Sequence, residues 1–144
     1  MRVYLDNCCY NRPFDDQSQL KVALESFAKL KIQDLMRSGT IEYVWSDALS
    51  YEASKNPFSE QKSAIFDWMD NAAVNVIASE DVIARGVELQ RQGFKKLDAL
   101  HLASAEKAQC DWFFTTDGGI FKKMHKLGGM RIANPVDFVI GAKQ

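Results

Sequence analysis

The chain has 144 residues, enough for a full hydrophobic core, and its 47% hydrophobic and 26% charged residues are the balance of an ordinary soluble globular protein. A net charge of −1 argues against a nucleic-acid binder that relies on a broad basic face, so any grip on phosphate must be local or carried by a metal. No apolar run approaches the roughly 18–20 residues of a membrane span. Three cysteines without CxxC spacing argue against a disulfide framework or a zinc site and point to a reduced, cytoplasmic protein.

Taken in order, Arg2–Leu5 reads as a short strand that ends at Asp6–Asn7. The opening MRVYLDNCCYNRPFDD has an early acid and no apolar core, which is not the pattern of a secretory leader. Its second half, CCYNRPFDDQ, has turn chemistry in Asn11, Pro13 and Asp15–Asp16, with Asp16 or Ser18 expected to cap the next helix. That helix runs from about Gln19 to Arg37, with Leu20, Ala23, Leu24, Phe27, Leu30 and Leu35 as its apolar stripe. Glu42–Ser46 is a second strand, followed by a helix from Asp47 to about Lys55 that Asn56–Pro57 stops. A third helix, about Glu60–Asn71, carries Ala64, Ile65, Trp68 and Met69 inward. Val74–Ala78 is a third strand, and Ser79 caps the helix that opens with Glu80–Asp81 and closes at Gly93.

Leu97 to about Gln109 is a helix rich in Ala and Leu; Trp112–Thr116 is a buried strand, broken at Gly118–Gly119. A basic helix from about Ile120 to Lys126, a fifth strand at Met130–Ala133 and a short turn or edge element near Asp137–Ile140 complete the chain. Alternating strands and helices imply an α/β fold, a mainly parallel sheet of five strands with helices on both faces. In such sheets ligands bind beyond the carboxyl ends of the strands.

Four acids are placed at that edge: Asp6, Glu52, Asp98 and Asp117. Two ionised carboxylates about 4 Å apart repel by on the order of 4 kcal/mol at an effective dielectric of about 20, so a shared proton or a cation must offset them. Hard carboxylate oxygens suit Mg²⁺ or Mn²⁺, and these ions suit phosphoryl transfer. Each acid also has a bland reading, as a strand end, a helix-dipole acid or a turn residue, and Glu42 and Asp47 compete with Glu52. Thr115 lies on the same side of its strand as Asp117 and supports the site, while His101, one turn after Asp98, reads more simply as a satisfied core histidine. Asn7, Asn11 and Arg12 are candidate phosphate contacts, and Lys95, Lys96, Lys122, Lys123 and Lys126 flank the acids in a way that suits an RNA backbone. Cys8 and Cys9 read as small buried hydrophobes.

YLD at Tyr4–Asp6, Glu52 after the second strand, DALHLA at Asp98–Ala103, TTD at Thr115–Asp117 and the closing Asn134–Pro135 resemble the PIN-domain nucleases along nearly the whole chain. The resemblance implies one Rossmann-like, three-layer PIN domain over residues 1–144. It also implies a Mg²⁺- or Mn²⁺-dependent endoribonuclease with its metal among Asp6, Glu52, Asp98 and Asp117. Many family members of this size are VapC-type toxins, neutralised by a small antitoxin and often homodimeric. Where some relatives carry one more acid, this chain has Gly118 and Gly119, and its NCCYNRPFDD segment is more polar than the aliphatic run common after the first acid. These departures leave a non-catalytic RNA- or protein-binding module of the same fold as the alternative.

Overall fold

The computed structural model describes residues 1–141, apart from the side chains of Arg12 and Phe121. One sheet runs through the described residues. Its strands are β1 (Arg2–Leu5), β2 (Glu42–Ser46), β3 (Val74–Val76), β4 (Trp112–Phe114), β5 (Lys126–Leu127) and β6 (Met130–Ala133). They lie in the order β3-β2-β1-β4-β6-β5, parallel except for β5. Around the sheet pack α1 (Asn7–Asn11), α2 (Leu20–Arg37), α3 (Asp47–Ser54), α4 (Ser59–Phe66), α5 (Glu80–Arg91), α6 (Lys96–Lys107), α7 (Gly118–Phe121) and α8 (Pro135–Gly141). The chain winds outward from β1 to β3 and then crosses back to β4 on the other side of β1. Crossovers of opposite direction put helices on both faces and make the β1–β4 seam the point where the winding reverses. No helix among the described residues is long and apolar enough to cross a membrane.

The middle strands are apolar because both their faces are covered. Val3, Tyr4, Leu5, Val44, Trp45, Phe113 and Phe114 are all fully buried. Tyr4 stacks on Phe113 at 5.2 Å between ring centroids, across a register that pairs Tyr4 with Phe113 and Leu5 with Phe114. At the opposite end of the sheet the Arg2 guanidinium holds Glu42 at 3.0 Å.

The sheet has six strands rather than five. Lys126–Leu127, expected to end a helix, instead turns through Gly128–Gly129 and pairs antiparallel with β6. Gly128 takes φ +59°, where a side chain is strained, so the glycine pair closes a hairpin as well as stopping a helix. The segment after β1 is α1 plus a 3-10 turn at Arg12–Phe14, not a loop, because Cys9 and Tyr10 are drawn into the core. The N-cap of α2 is Gln19, without a side-chain hydrogen bond; Asp16 instead accepts from the Ser18 amide at 3.0 Å. The helix expected over 60–71 becomes 3-10 after Phe66, and its Ala64 faces out. The last element is a true helix, α8.

The largest departure is the rotation of α2. Leu20, Leu24, Phe27 and Leu30 are exposed, while Val22, Ala28, Ile32 and Met36 face the core beside Glu25, Lys29 and Gln33. Two stripes on this helix have a helical period, and the one without charges is the outer one. Leu24, Phe27 and Ala28 line an apolar groove with Val136, Val139 and Ile140 of α8. Ile32→Ala is therefore expected to destabilise the fold by about 2–5 kcal/mol. Phe27→Ala, removing the bulkiest member of the outer stripe, is expected to stay within roughly 1 kcal/mol of wild type. Denaturant unfolding of the two variants checks the rotation.

Candidate metal centre

The last rung between β1 and β4 is the Asp6 amide donating to the Phe114 carbonyl at 2.9 Å. It sets Asp6, just past β1, level with Thr115, just past β4. The buried Thr115 hydroxyl donates to Asp6 Oδ2 at 2.9 Å and accepts from the Asp117 amide at 3.0 Å. One hydroxyl thus fixes the first acid and the backbone of the last. Asp6 Oδ1 accepts from the Asn7 amide at 2.8 Å. Asp117 caps α7, its Oδ1 accepting from the Gly119 amide at 2.8 Å.

Glu52 reaches the same edge from α3, where Asn7 Nδ2 donates to its Oε2 at 3.4 Å. Neither rival does this: Glu42 is held by Arg2 at the other end of the sheet, and Asp47 accepts from the Ala78 amide at 2.9 Å. Glu52 is held by His101, whose Nε2 hydrogen-bonds its Oε1. The imidazole is fully buried on α6, with Asp6 Oδ1 at 3.7 Å from Nε2. At its other nitrogen the Tyr4 hydroxyl lies 2.6 Å from Nδ1 and 2.6 Å from Ser46 Oγ. Ser46 in turn caps α3, accepting from the Leu49 amide at 3.1 Å. Burial by itself would lower the His101 pKa, but the Asp6 carboxylate, the hydrogen bond donated to Glu52 and the Glu52 and Asp98 charges outweigh it and raise the value. In either protonation state Nε2–H can point to Glu52. The neutral ring accepts from Tyr4 at Nδ1, and the cation donates there while Tyr4 turns its proton to Ser46. The ring is thus both a satisfied core histidine and the support for a site acid.

Asp98 sits in the first turn of α6. Its carboxyl is pushed up to about 6, first by burial and then by the negative charge of Asp6, of Asp117 and of Glu52. The charges of three other acids thus act on Asp98. Ligand atoms of Asp6, Glu52 and His101 lie within 4.8 Å of one another. The buried Asn7 Oδ1 beside Asp6 and Glu52 has no hydrogen-bond partner among the described residues. An orphaned oxygen next to crowded carboxylates fits a hard cation such as Mg²⁺ or Mn²⁺. Because both His101 nitrogens are engaged, its role is to orient Glu52 rather than to bind the ion directly.

Lys95, the N-cap of α6, Lys96 and Lys122, the C-cap of α7, are exposed near Asp98 and Asp117 in sequence, and no ion pair engages them among the described residues. The Arg12 side chain lies outside the described residues. Cys8 is a polar member of the site rather than a plain core residue: its sulfur lies 3.4 Å from Thr115 Oγ1 and accepts from the Thr116 amide at 3.3 Å. Sequence reasoning missed Tyr4 and Ser46. The available signal was the period of a strand, which puts Tyr4 on the same face as Asp6.

A raised carboxyl pKa makes the folded chain hold a proton that the unfolded chain has already released. Between about pH 4 and pH 6 stability therefore falls as pH rises, and the loss persists above that window. Asp98→Asn is expected to stabilise the metal-free protein at neutral pH by about 1–2 kcal/mol, allowing for solvent screening, and to leave it unchanged near pH 4. Thermal unfolding at the two pH values checks this, and an equal shift at both would refute it. Thr115→Val removes the hydroxyl shared by Asp6 and the Asp117 amide and is expected to cost about 1–3 kcal/mol. Thr115→Ser should recover most of that loss in the same melt.

No protein-family model matches the chain, and no curated protein matches it in sequence. Solved structures do match over nearly the whole length. VapBC2 from Rickettsia felis, solved bound to a DNA fragment from its promoter, has a chain that aligns at 16% identity with a TM-score of 0.58, covering 93% of this chain and 98% of that one. FitAcB from Neisseria gonorrhoeae has one that aligns at 14% identity with a TM-score of 0.60, covering 92% of this chain and 97% of that one. At that identity the likeness establishes the fold alone: a mostly parallel α/β sheet wrapped by helices, as in those two structures.

Proposed function

We propose that this chain is a Mg²⁺- or Mn²⁺-dependent endoribonuclease, a single PIN domain working in the cytoplasm as the toxin of a toxin–antitoxin pair. The observation that carries the reading is the close approach of Asp6 and Glu52, whose ligand atoms lie within 4.8 Å of one another and of His101, and the charges of Asp6, Asp117 and Glu52 acting on Asp98 support it. The structural likeness to VapBC2 and FitAcB supports it at the level of fold.

In this reading all four carboxylates hold the ion. A divalent cation there would supply charge against the phosphate and acidify a water. The residues of the chain do the rest. Thr115 and Asn7 fix Asp6, and His101 fixes Glu52, so the acids need little reorganisation. Lys95, Lys96, Lys122 and Arg12 are assigned to the RNA backbone on either side of the acids. Water attacks phosphorus in line, its proton passes to a carboxylate of the set, and the bond to the 3′ oxygen breaks as that oxygen takes up a proton from solvent water. The products are a 5′-phosphate and a 3′-hydroxyl. A small antitoxin and a second copy of the chain are the proposed protein partners; the exposed apolar groove between α2 and α8 supports a face covered by protein.

Cleavage of a structured RNA by wild type and Asp98→Asn, in Mn²⁺, Mg²⁺ or EDTA, tests the reading. Wild type is expected to cut only with metal, and the variant to lose roughly 100-fold or more, as when one charge-stabilising group is removed from an active site. Cleavage that survives EDTA or the substitution would overturn the scheme. Tight RNA binding without turnover would favour a non-catalytic module.

A further inference from the structure

A second cavity, of about 610 Å³, lies between α2, the 3-10 turn after α1, and the segment from α4 to Asn71. It is separate from the acids. Its wall includes one face of α2, where Lys29, Gln33 and Arg37 follow at four-residue intervals. Lys29 is 5% exposed, yet no carboxylate pairs with it among the described residues; its ammonium stands 5.7 Å from the centroid of the Tyr10 ring. Gln33 is 2% and Tyr10 1% exposed, and the Gln33 Nε2 and Tyr10 hydroxyl have no hydrogen-bond partner among the described residues.

Two buried polar atoms without partners along one cavity are unusual, since burying even one costs on the order of 1–3 kcal/mol. A buried ammonium costs more. Burial moves the Lys29 pKa down to about 8, which still leaves it mostly protonated at neutral pH. The Lys29 ammonium and the unpartnered Gln33 Nε2 are donors and the Tyr10 hydroxyl can donate as well, so an acceptor-rich, negatively charged group complements that wall, with the Asp67 carboxylate elsewhere in the lining. The opposite wall is aromatic. Trp68 lies edge-on to Tyr43 at 5.7 Å and under the Arg37 guanidinium at 4.7 Å, and the half-exposed Phe14 stands at the rim. Cavities of this size suit a small organic molecule.

We infer that this cavity is a binding site for a small organic anion, with a phosphate or carboxylate seated on Lys29, Gln33 and Tyr10 and a planar body against Trp68 and Phe14. The site does not depend on the nuclease reading, because none of its residues belongs to the acidic edge. It shares one element with that edge: α1 carries Asn7 at its start and Tyr10 one turn later.

The test is calorimetric titration of the full chain with AMP, benzoate and adenosine, in EDTA so that no metal draws phosphate to the acids. AMP, benzoate or both should bind saturably, and the pair separates phosphate from carboxylate heads. Adenosine, with the body but no anion, should bind at least about tenfold more weakly than AMP if phosphate is the head. Lys29→Met keeps the stem and removes the charge. It should fold, melt no lower than wild type, and lose at least about tenfold in affinity for whichever anion binds. Gln33→Leu is the second variant, expected to lose roughly fivefold. Failure of both anions to bind wild type, or unchanged binding in both variants, would overturn the proposal whatever the RNA cleavage assay shows.

Discussion

The hydrogen bond from the Asp6 amide to the Phe114 carbonyl closes the ladder between the first strand and the fourth, and the geometry of the acidic edge descends from it. Strand pairing moves in steps of one residue, and a slip by one would turn every side chain to the other face. Here the register is fixed by the Tyr4–Phe113 stack within the ladder. With that register, Asp6 and Thr115 stand level, and Thr115 can hold Asp6 and the Asp117 amide together. In any other register these groups would not meet.

Gathering carboxylates is unfavourable, and the fold meets that cost in two ways. Asp6 and Glu52 are surrounded by donors: the Asn7 amide, Thr115, Asn7 Nδ2 and His101. Asp98 has no such shell among the described residues and takes the strain as a raised proton affinity. The donors that hold Glu52 form a closed circuit. Ser46 caps the helix that carries Glu52, Tyr4 joins Ser46 to His101, and His101 returns to Glu52. A circuit of this kind fixes a side chain on a short helix more firmly than the helix alone could, because moving the carboxylate breaks contacts on three elements.

The fold class and the acidic edge were open to sequence reasoning because they rest on local signals. Short β-branched and aromatic runs between amphipathic helices reveal the winding, and acids just past those runs fall at the carboxyl ends. What escaped had non-local causes. The orientation of α2 is set by what it packs against, and a helix with apolar residues on two faces does not announce which is inner; Lys29 and Gln33 even argue for the wrong one. The β5–β6 hairpin rests on a two-residue strand, too short for any period to show. Tyr4 reads as an ordinary core aromatic until His101, nearly a hundred residues away, is brought against its hydroxyl.

The span in sequence between Asp6 and Asp117 has a consequence for synthesis. The strand that opens the chain cannot acquire its neighbour on the β4 side until the fourth strand has been made. Long-range parallel pairing of this kind is slow and comes late. During translation the early strands and helices can form, but the acidic edge has no counterpart for Asp6 and no cap at α7. The acidic site is therefore among the last features to mature. A ribosome would release most of the polypeptide before the complete set of carboxylates could exist in one place, so a nascent chain halted short of Asp117 is an incomplete fold without a formed centre.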